Sequence, residues 1–378
     1  MERYKQKKIV CAGHICLDIT PVFEQSVSPC NSATELLMPG HLIPVGPPDI
    51  HIGGSVGNTG LALKQFGADV LLIGKIGKDV LGRLVVEQLK SYQVKSDMIE
   101  KENTETSYSV ILSLQGIDRI ILHHSGANDT FTFSDINYKA LEGAVLFHFG
   151  YPPIMKEMYL NRGKECIRLF KTVKELGIAT SLDMAIPGES SEAGKENWNQ
   201  ILQDIIPYVD IFAPSVEELA FLIDRPRYYE WLKRSGGKEV TEVLSIDEDV
   251  KPLADRLMGW GAKIVLIKCG ARGMYLRTNI KEKLVLIGGG LINSLKNWEN
   301  CEAFEKSYKP DKVVSATGAG DTSIAAFLCS ILEGCEWEQA LHFAAAAGAS
   351  SVEAYDALSG LRSFEEMKRK IEEGWEKI

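Results

Sequence analysis

One stretch concentrates residues able to do chemistry: Ser315-Ala316-Thr317-Gly318-Ala319-Gly320-Asp321-Thr322. After it, Ile324, Phe327, Leu328, Ile331 and Leu332 recur at helical spacing, so a helix with one buried face is expected beyond Gly320. Gly318 and Gly320 would leave the first backbone N–H groups of that helix uncovered, and the helix dipole adds partial positive charge there. Such an end binds anions, phosphate above all. Asp321 then has two readings. It can cap the helix and complement its dipole, or it can be a base held beside a bound phosphate. Taken alone, the eight residues favour the cap.

A second glycine-rich stretch is His51-Ile52-Gly53-Gly54-Ser55-Val56-Gly57-Asn58-Thr59-Gly60-Leu61-Ala62-Leu63. A double glycine before a helical run lets backbone approach a ligand closely, and Asn58 could present its amide to a hydroxyl. A tight turn with a helix-start asparagine explains the same residues. Asp18 follows the apolar run Ile9-Val10-Cys11-Ala12-Gly13 and His14-Ile15-Cys16-Leu17. It could bind a substrate hydroxyl at a strand end or begin the turn before Pro21; position alone favours the turn. Glu218, just past a strand end, faces either the ligand crevice or solvent. His148 sits within Ala144-Val145-Leu146-Phe147-His148-Phe149, where a core histidine is the expected reading.

The elements that must position these groups alternate. Buried strands are expected at 9–13, 69–74, 144–149, 178–183, 210–213 and 263–268, with helices between them, the rhythm of a parallel sheet covered on both faces. Asp79 can cap a helix with Val80, Leu81, Leu84, Val85 and Leu89 on its apolar face. Residues 107–114 and 119–123 flank Gln115-Gly116-Ile117-Asp118, a hairpin signal. Short edge strands are expected at Leu36-Leu37-Met38 and His41-Leu42-Ile43 in the proline-rich 21–50 segment. Together these would form a small separate sheet able to close over a substrate. Residues 224–250 and 291–310 read as peripheral surface inserts.

At 378 residues and 45% hydrophobic content the chain can bury a sizeable core. A net charge of −9 argues against general binding to nucleic acid or to an anionic membrane surface. The eight cysteines form no C-x-x-C pair, so neither a zinc site nor a disulfide framework is expected. Cys329 reads as a core thiol. No Walker A pattern and no dinucleotide fingerprint are present. With no signal-peptide core and no membrane-length apolar stretch, a cytoplasmic location is expected.

In this order and context the motifs resemble the ribokinase-like (PfkB) carbohydrate kinases. The resemblance rests on Gly53-Gly54-Ser55-Val56-Gly57-Asn58 through Phe66-Gly67, on Ile76-Gly77-Lys78-Asp79 with Gly82, and on Gly126-Ala127-Asn128. Lys268-Cys269-Gly270-Ala271-Arg272-Gly273 and Thr317-Gly318-Ala319-Gly320-Asp321 complete it. It covers nearly the whole chain, from Ile9 to about Leu361, apart from the inserts. It implies an α/β fold: a ribokinase-like three-layer sandwich, residues 1–378 as one domain, with a mostly parallel sheet and a small β-sheet lid from about 15–50 and 105–125.

It also implies ATP-dependent phosphorylation of a hydroxyl on a sugar or sugar-like molecule. Asp321 would be the catalytic base, and Gly318, Ala319 and Gly320 would build the anion hole with it. Asp18, Gly53, Gly54 and Asn58 would hold substrate. Lys268, Gly270 and Gly273 would lie on the nucleotide side, and Glu218 would place Mg²⁺, directly or through water. The family usually has Asp-Thr where this chain has Ser315-Ala316, which puts activation by a monovalent cation, K⁺, in question. Ser215 replaces the asparagine of the family's Asn-x-x-Glu motif. Asp183-Met184-Ala185-Ile186-Pro187 matches the fructokinase-like Asp-Pro-Asn run only in part. A nucleoside kinase and a catalytically silent sensor of sugar or nucleotide are the alternatives. Exposed lid edges could pair in a homodimer.

Overall fold

The computed structural model describes residues 1–23, 38–113 and 119–378. Its strands are β1 (Lys8–Gly13), β2 (Cys16–Thr20), β3 (Asp49–Gly53), β4 (Asp69–Gly77), β5 (Lys95–Lys101), β6 (Tyr108–Leu112) and β7 (Ile120–His124). They continue as β8 (Ala144–Gly150), β9 (Ala179–Asp183), β10 (Ile211–Phe212), β11 (Ile264–Lys268), β12 (Gly273–Thr278) and β13 (Glu302–Lys306). Nine of them form one sheet in the order β13-β12-β11-β10-β9-β8-β1-β4-β5. Only β12 runs antiparallel to its neighbours. The chain steps from β1 to β4 on one side and later to β8 on the other. The strand order therefore reverses at β1, and a ligand crevice is expected beyond the carboxyl ends there.

Alternation along β1 shows how the sheet is covered. Ile9 and Cys11 enter the core on one face, Val10 and Ala12 the core on the other. The first face carries the helices Gly54–Gln65, Ala319–Glu333 and Trp337–Ser351; the second carries Lys156–Glu175 and Trp198–Ile205. The helix after Gly320 is present, but it is buried all round, from Asp321 to Leu332, rather than on one face. Ala325, Ala326, Cys329 and Ser330 fill the sides between its larger residues, and these small side chains let neighbouring elements close over it. Asp79 does cap its helix, accepting from Gly82 N at 2.7 Å. Val80, expected on that helix's apolar face, is exposed.

A second sheet of four strands, β3-β2-β6-β7, stands apart from the first. β2–β3 and β6–β7 are antiparallel, while β2 and β6 are parallel. The hairpin strands appear as expected; their connecting residues, 114–118, lie outside the described residues. Leu36 and Leu37 of the first expected edge strand also lie outside them, and residues 41–43 form no strand. The strand of this region begins only at Asp49, beyond the last of its prolines. Asp18 is not a turn residue: it lies mid-strand in β2, opposite His51.

Neither insert is a purely surface feature. Trp298 of the 291–310 segment is fully buried, its indole N–H donating to the Cys335 carbonyl at 3.2 Å, and residues 302–306 supply edge strand β13. Trp231 of the 224–250 segment is also buried, donating to Asp249 Oδ1 at 2.8 Å. That segment packs on the turn after β11, where Arg272 donates to the carbonyls of Thr241 and Leu244. Both segments carry polar side chains outward and an aromatic anchor inward, and hydrophilic composition alone hides the anchor. Trp298→Ala is expected to lower unfolding stability by about 3–5 kcal/mol, the usual cost of deleting a fully buried aromatic. Denaturant titration checks this, and an unchanged midpoint would contradict the buried placement.

Candidate active site

The crevice at the reversal of strand order is a cavity of about 730 Å³. Asp18, Gly54, Asn58, Glu218, Gly318 and Asp321 all line it, so residues spread from 18 to 321 meet in one place. Asp321 lies in the first turn of the helix Ala319–Glu333 and is only 4% exposed. It is not the N-cap; that position is Gly318, whose φ of 74° lies in the left-handed region. A Cβ at Gly318 would come within 2.2 Å of the Ala357 Cβ, so a side chain is excluded there on two grounds. Freed from capping, the carboxylate is held by side chains. Thr59 Oγ1 donates to Oδ1 at 2.9 Å, and Asn58 Nδ2 and the Tyr151 hydroxyl donate to Oδ2 at 3.1 and 2.7 Å.

Burial raises the Asp321 pKa. The bonds from Tyr151, Thr59 and Asn58 and the nearby Lys268 charge oppose that rise without cancelling it. Lys268, at the end of β11, donates to Asp183 Oδ1 at 2.6 Å; Asp183 is buried and Lys268 mostly so. Desolvation works against the ammonium, but Asp183, Glu218 and Asp321 outweigh it and the Lys268 pKa lies above its ordinary value. A Cβ at Gly320 would lie 3.6 Å from Lys268 Nζ, so this cation stands beside the helix N-terminus. Glu218 is not a solvated carboxylate. It closes a capping box with Ser215, accepting from Ser215 N at 2.6 Å, and burial raises its pKa.

Asp18 is buried at the wall of the cavity, and burial raises its pKa too. The Cys16 thiol donates to its Oδ1 at 3.3 Å. The double glycine serves these neighbours directly. A Cβ at Gly53 would stand 2.0 Å from Asp18 Oδ2, and one at Gly54 2.5 Å from His14 Nδ1. Gly53 itself does not line the cavity. Neither do Gly270 and Gly273: Gly270 packs on Thr241, and a Cβ at Gly273 would strike the Glu305 carbonyl of β13. His148 is a core residue, with Nδ1 3.0 Å from Ser181 Oγ and a pKa pushed down to about 3 by burial.

Sequence reasoning missed Thr59, Tyr151, His14 and His123. Thr59 lies in the second glycine-rich stretch, next to Asn58. Tyr151 follows the carboxyl end of β8, which in a parallel sheet is itself a signal. His14 and His123 face each other with Nε2 atoms 3.3 Å apart, joining the end of β1 to the small sheet. Burial lowers both pKa values, His123 to about 4, so the pair is neutral at pH 7.

The model of the pfkB family carbohydrate kinases matches residues 6–363. The chain belongs to the pfkB family of carbohydrate kinases. Among its curated relatives are an uncharacterised sugar kinase from Archaeoglobus fulgidus and a 5-dehydro-2-deoxygluconokinase from Clostridium botulinum. The first is 23% identical over 80% of this chain and 98% of the relative. The second is 25% identical over 85% and 84%. Arabidopsis thaliana ribokinase, solved with ribose and ATP, superposes with a TM-score of 0.67 at 21% identity, covering 96% of this chain and 98% of the other. An E. coli ribokinase II solved with ATP and Mg²⁺ gives 0.70 at 18% identity, covering 97% and 99%. The kinase thus has the ribokinase fold, as its motifs imply. None of its described helices is long and apolar enough to cross a membrane.

Gly53→Ala is expected to leave the kinase folded while turning the Asp18 carboxylate out of place. Acceptor affinity should fall about tenfold or more, equivalent to roughly 1.4 kcal/mol. An acceptor affinity equal to wild type would remove Asp18 from the site.

Proposed function

We propose that this kinase phosphorylates a hydroxyl of a sugar or sugar-like molecule with ATP, by direct in-line transfer and without a phosphoenzyme. The observation that carries this is the Asp321 carboxylate, buried in the first turn of a glycine-opened helix yet held by Asn58, Thr59 and Tyr151 rather than spent on a cap. Asp321 takes the proton of the attacking hydroxyl. The N–H groups of Ala319, Gly320 and Asp321 receive the charge developing on the transferred phosphoryl, and the Ala319 N–H exchanges its long 3.4 Å bond to Ala316 O for it. Lys268 adds fixed positive charge beside that helix end. Asp18, Asn58 and Gly54 orient the acceptor. The four-stranded sheet acts as the lid, with His14–His123 as one of its contacts to the body.

Glu218 presents a hard oxygen donor to the cavity and fits Mg²⁺, which in phosphoryl-transfer sites needs only one or two carboxylates besides the nucleotide phosphates. When bound, Mg²⁺ supplies charge neutralisation on the nucleotide phosphates. K⁺ is a different case. Ser315 Oγ donates to Thr317 Oγ1 at 3.0 Å and accepts from Thr317 N at 3.2 Å, closing the turn before the anion hole with neutral groups. Turnover should therefore be the same within about twofold in K⁺ and Na⁺ buffers, and a strong K⁺ requirement would contradict this role for Ser315.

A nucleoside acceptor is the second reading. Pro153, Ile154, Tyr159, Ile186 and Pro187 give the cavity an apolar wall that a base could cover. A coupled ADP-release assay across pentoses, hexoses, sugar acids and nucleosides separates the two. In that assay Asp321→Asn should lose on the order of 10²–10⁴ in kcat with ATP binding nearly unchanged. Near-normal turnover would end the base assignment, and ligand binding without any ADP formation would favour a sensor. The raised Asp321 pKa sets the sign of the pH dependence. The base must be ionised, so kcat falls as pH drops through a midpoint above the ordinary carboxylate range. A limb at or below pH 4 would contradict the buried setting.

A further inference from the structure

We propose that Tyr151 is a positioning residue for Asp321: its phenol holds the carboxylate ionised and oriented, and leaves Oδ1 as the oxygen that receives the acceptor's proton. The inference rests on the kinase reading for its last clause only. Its first support is lone-pair accounting. A carboxylate has about four acceptor sites, two on each oxygen. Asn58 and Tyr151 together take both sites of Oδ2, whereas Thr59 takes one site of Oδ1. One site remains for an incoming hydroxyl, and it is on Oδ1.

The second support is the backbone. Tyr151 has φ 69° and ψ 38°, a left-handed conformation that a bulky residue adopts at a cost and that is kept where surrounding structure imposes it. The imposing contacts are visible. Tyr151 N donates to the Asp183 carbonyl at the end of β9, and the Tyr151 carbonyl accepts from Ile154 N at 3.1 Å in the turn begun by Pro152 and Pro153. This kink at the end of β8 carries the side chain into the cavity and its hydroxyl to 2.7 Å from Oδ2. The third support is chemical. Burial, with Asp321 and Asp183 nearby, pushes the phenol pKa well above its ordinary value, so Tyr151 remains a donor at every working pH. Other groups bearing on the Asp321 charge are Lys268 from β11, Asp183 from β9, Glu218 from the helix Val216–Ile223, Cys11 from β1, and Asp18 and Cys16 from β2. Among these titratable groups Tyr151 and Lys268 favour the ionised form, and Tyr151 is the one that bonds to it directly, beside the neutral donors Asn58 and Thr59.

Tyr151→Phe removes one oxygen and keeps the ring, so the kink and the fold are retained; the thermal midpoint verifies this. The deciding readout is the carboxyl titration of Asp321 by ¹³C NMR on aspartate-labelled protein, with Asp321→Asn identifying the resonance. The midpoint should rise by about one pH unit in Tyr151→Phe, because a donor to the ionised form is lost. With the acceptor found in the coupled assay, kcat should fall about tenfold or more, its acid limb should move up by the same amount, and the KM for ATP should stay within about twofold. An unchanged titration midpoint overturns the proposal even if kcat falls, since the loss would then be one of packing. If wild-type protein transfers phosphate to no acceptor, the kinase reading fails, while the titration still decides the link between Tyr151 and Asp321.

Discussion

The structure depends on keeping one carboxylate buried and usable. Moving Asp321 out of water disfavours its charge, and an unpaired buried carboxylate would simply take up a proton. Three donors oppose that, and they come from two distant places in the chain. Asn58 and Thr59 sit on the helix that follows β3, and Tyr151 sits at the kink after β8. Each donor is fixed only if the strand before it is in register, so the antiparallel pairing of β3 with β2 and the parallel pairing of β8 with β1 bear directly on the geometry around Asp321. The all-round burial of the Ala319–Glu333 helix serves the same end: a helix packed on every side cannot rotate its first turn away from these donors.

Charge balance is the second constraint. Asp18, Glu218 and Asp321 line the cavity, and the Lys268 ammonium stands close enough to Asp183, Glu218 and Asp321 for all three to raise its pKa. A site so acidic repels an anion until positive charge joins it. That positive charge is local: a lysine, the amino end of a helix, and whatever cation accompanies the nucleotide. This reconciles an overall negative protein with a phosphate-binding role. The glycines of Gly53-Gly54 leave room for two groups of this region, since a side chain there would displace Asp18 of the small sheet or His14 at the end of β1.

Much of this was legible in the chain. Strands buried on both faces read as continuous apolar runs, so β1, β4, β8, β9 and β11 were expected at nearly their observed places. The glycine-opened helix and Asp321 were equally plain. What escaped the sequence has physical reasons. β13 is an edge strand, Glu302-Ala303-Phe304-Glu305-Lys306, whose charges suit an exposed edge and mask its alternation. β2 is short and follows β1 after only two residues, so Asp18 looked like a turn. Gly270 and Gly273 have structural partners, Thr241 and the Glu305 carbonyl, that lie far away in sequence. Tyr151 could not be read at all beyond its place at a strand end. Its role comes from a left-handed backbone imposed by β9 and from a helix 170 residues later.

In the proposed reaction Asp321 acts as base toward an acceptor hydroxyl at the amino end of its own helix. The most direct measurement is ³¹P NMR of the protein incubated with ATP, Mg²⁺ and the acceptor panel. A new phosphate-monoester resonance on the acceptor, growing in step with ADP and about a hundredfold or more slower with Asp321→Asn, is the predicted result. Inorganic phosphate alone, or an ester formed as fast without the Asp321 carboxylate, would contradict it.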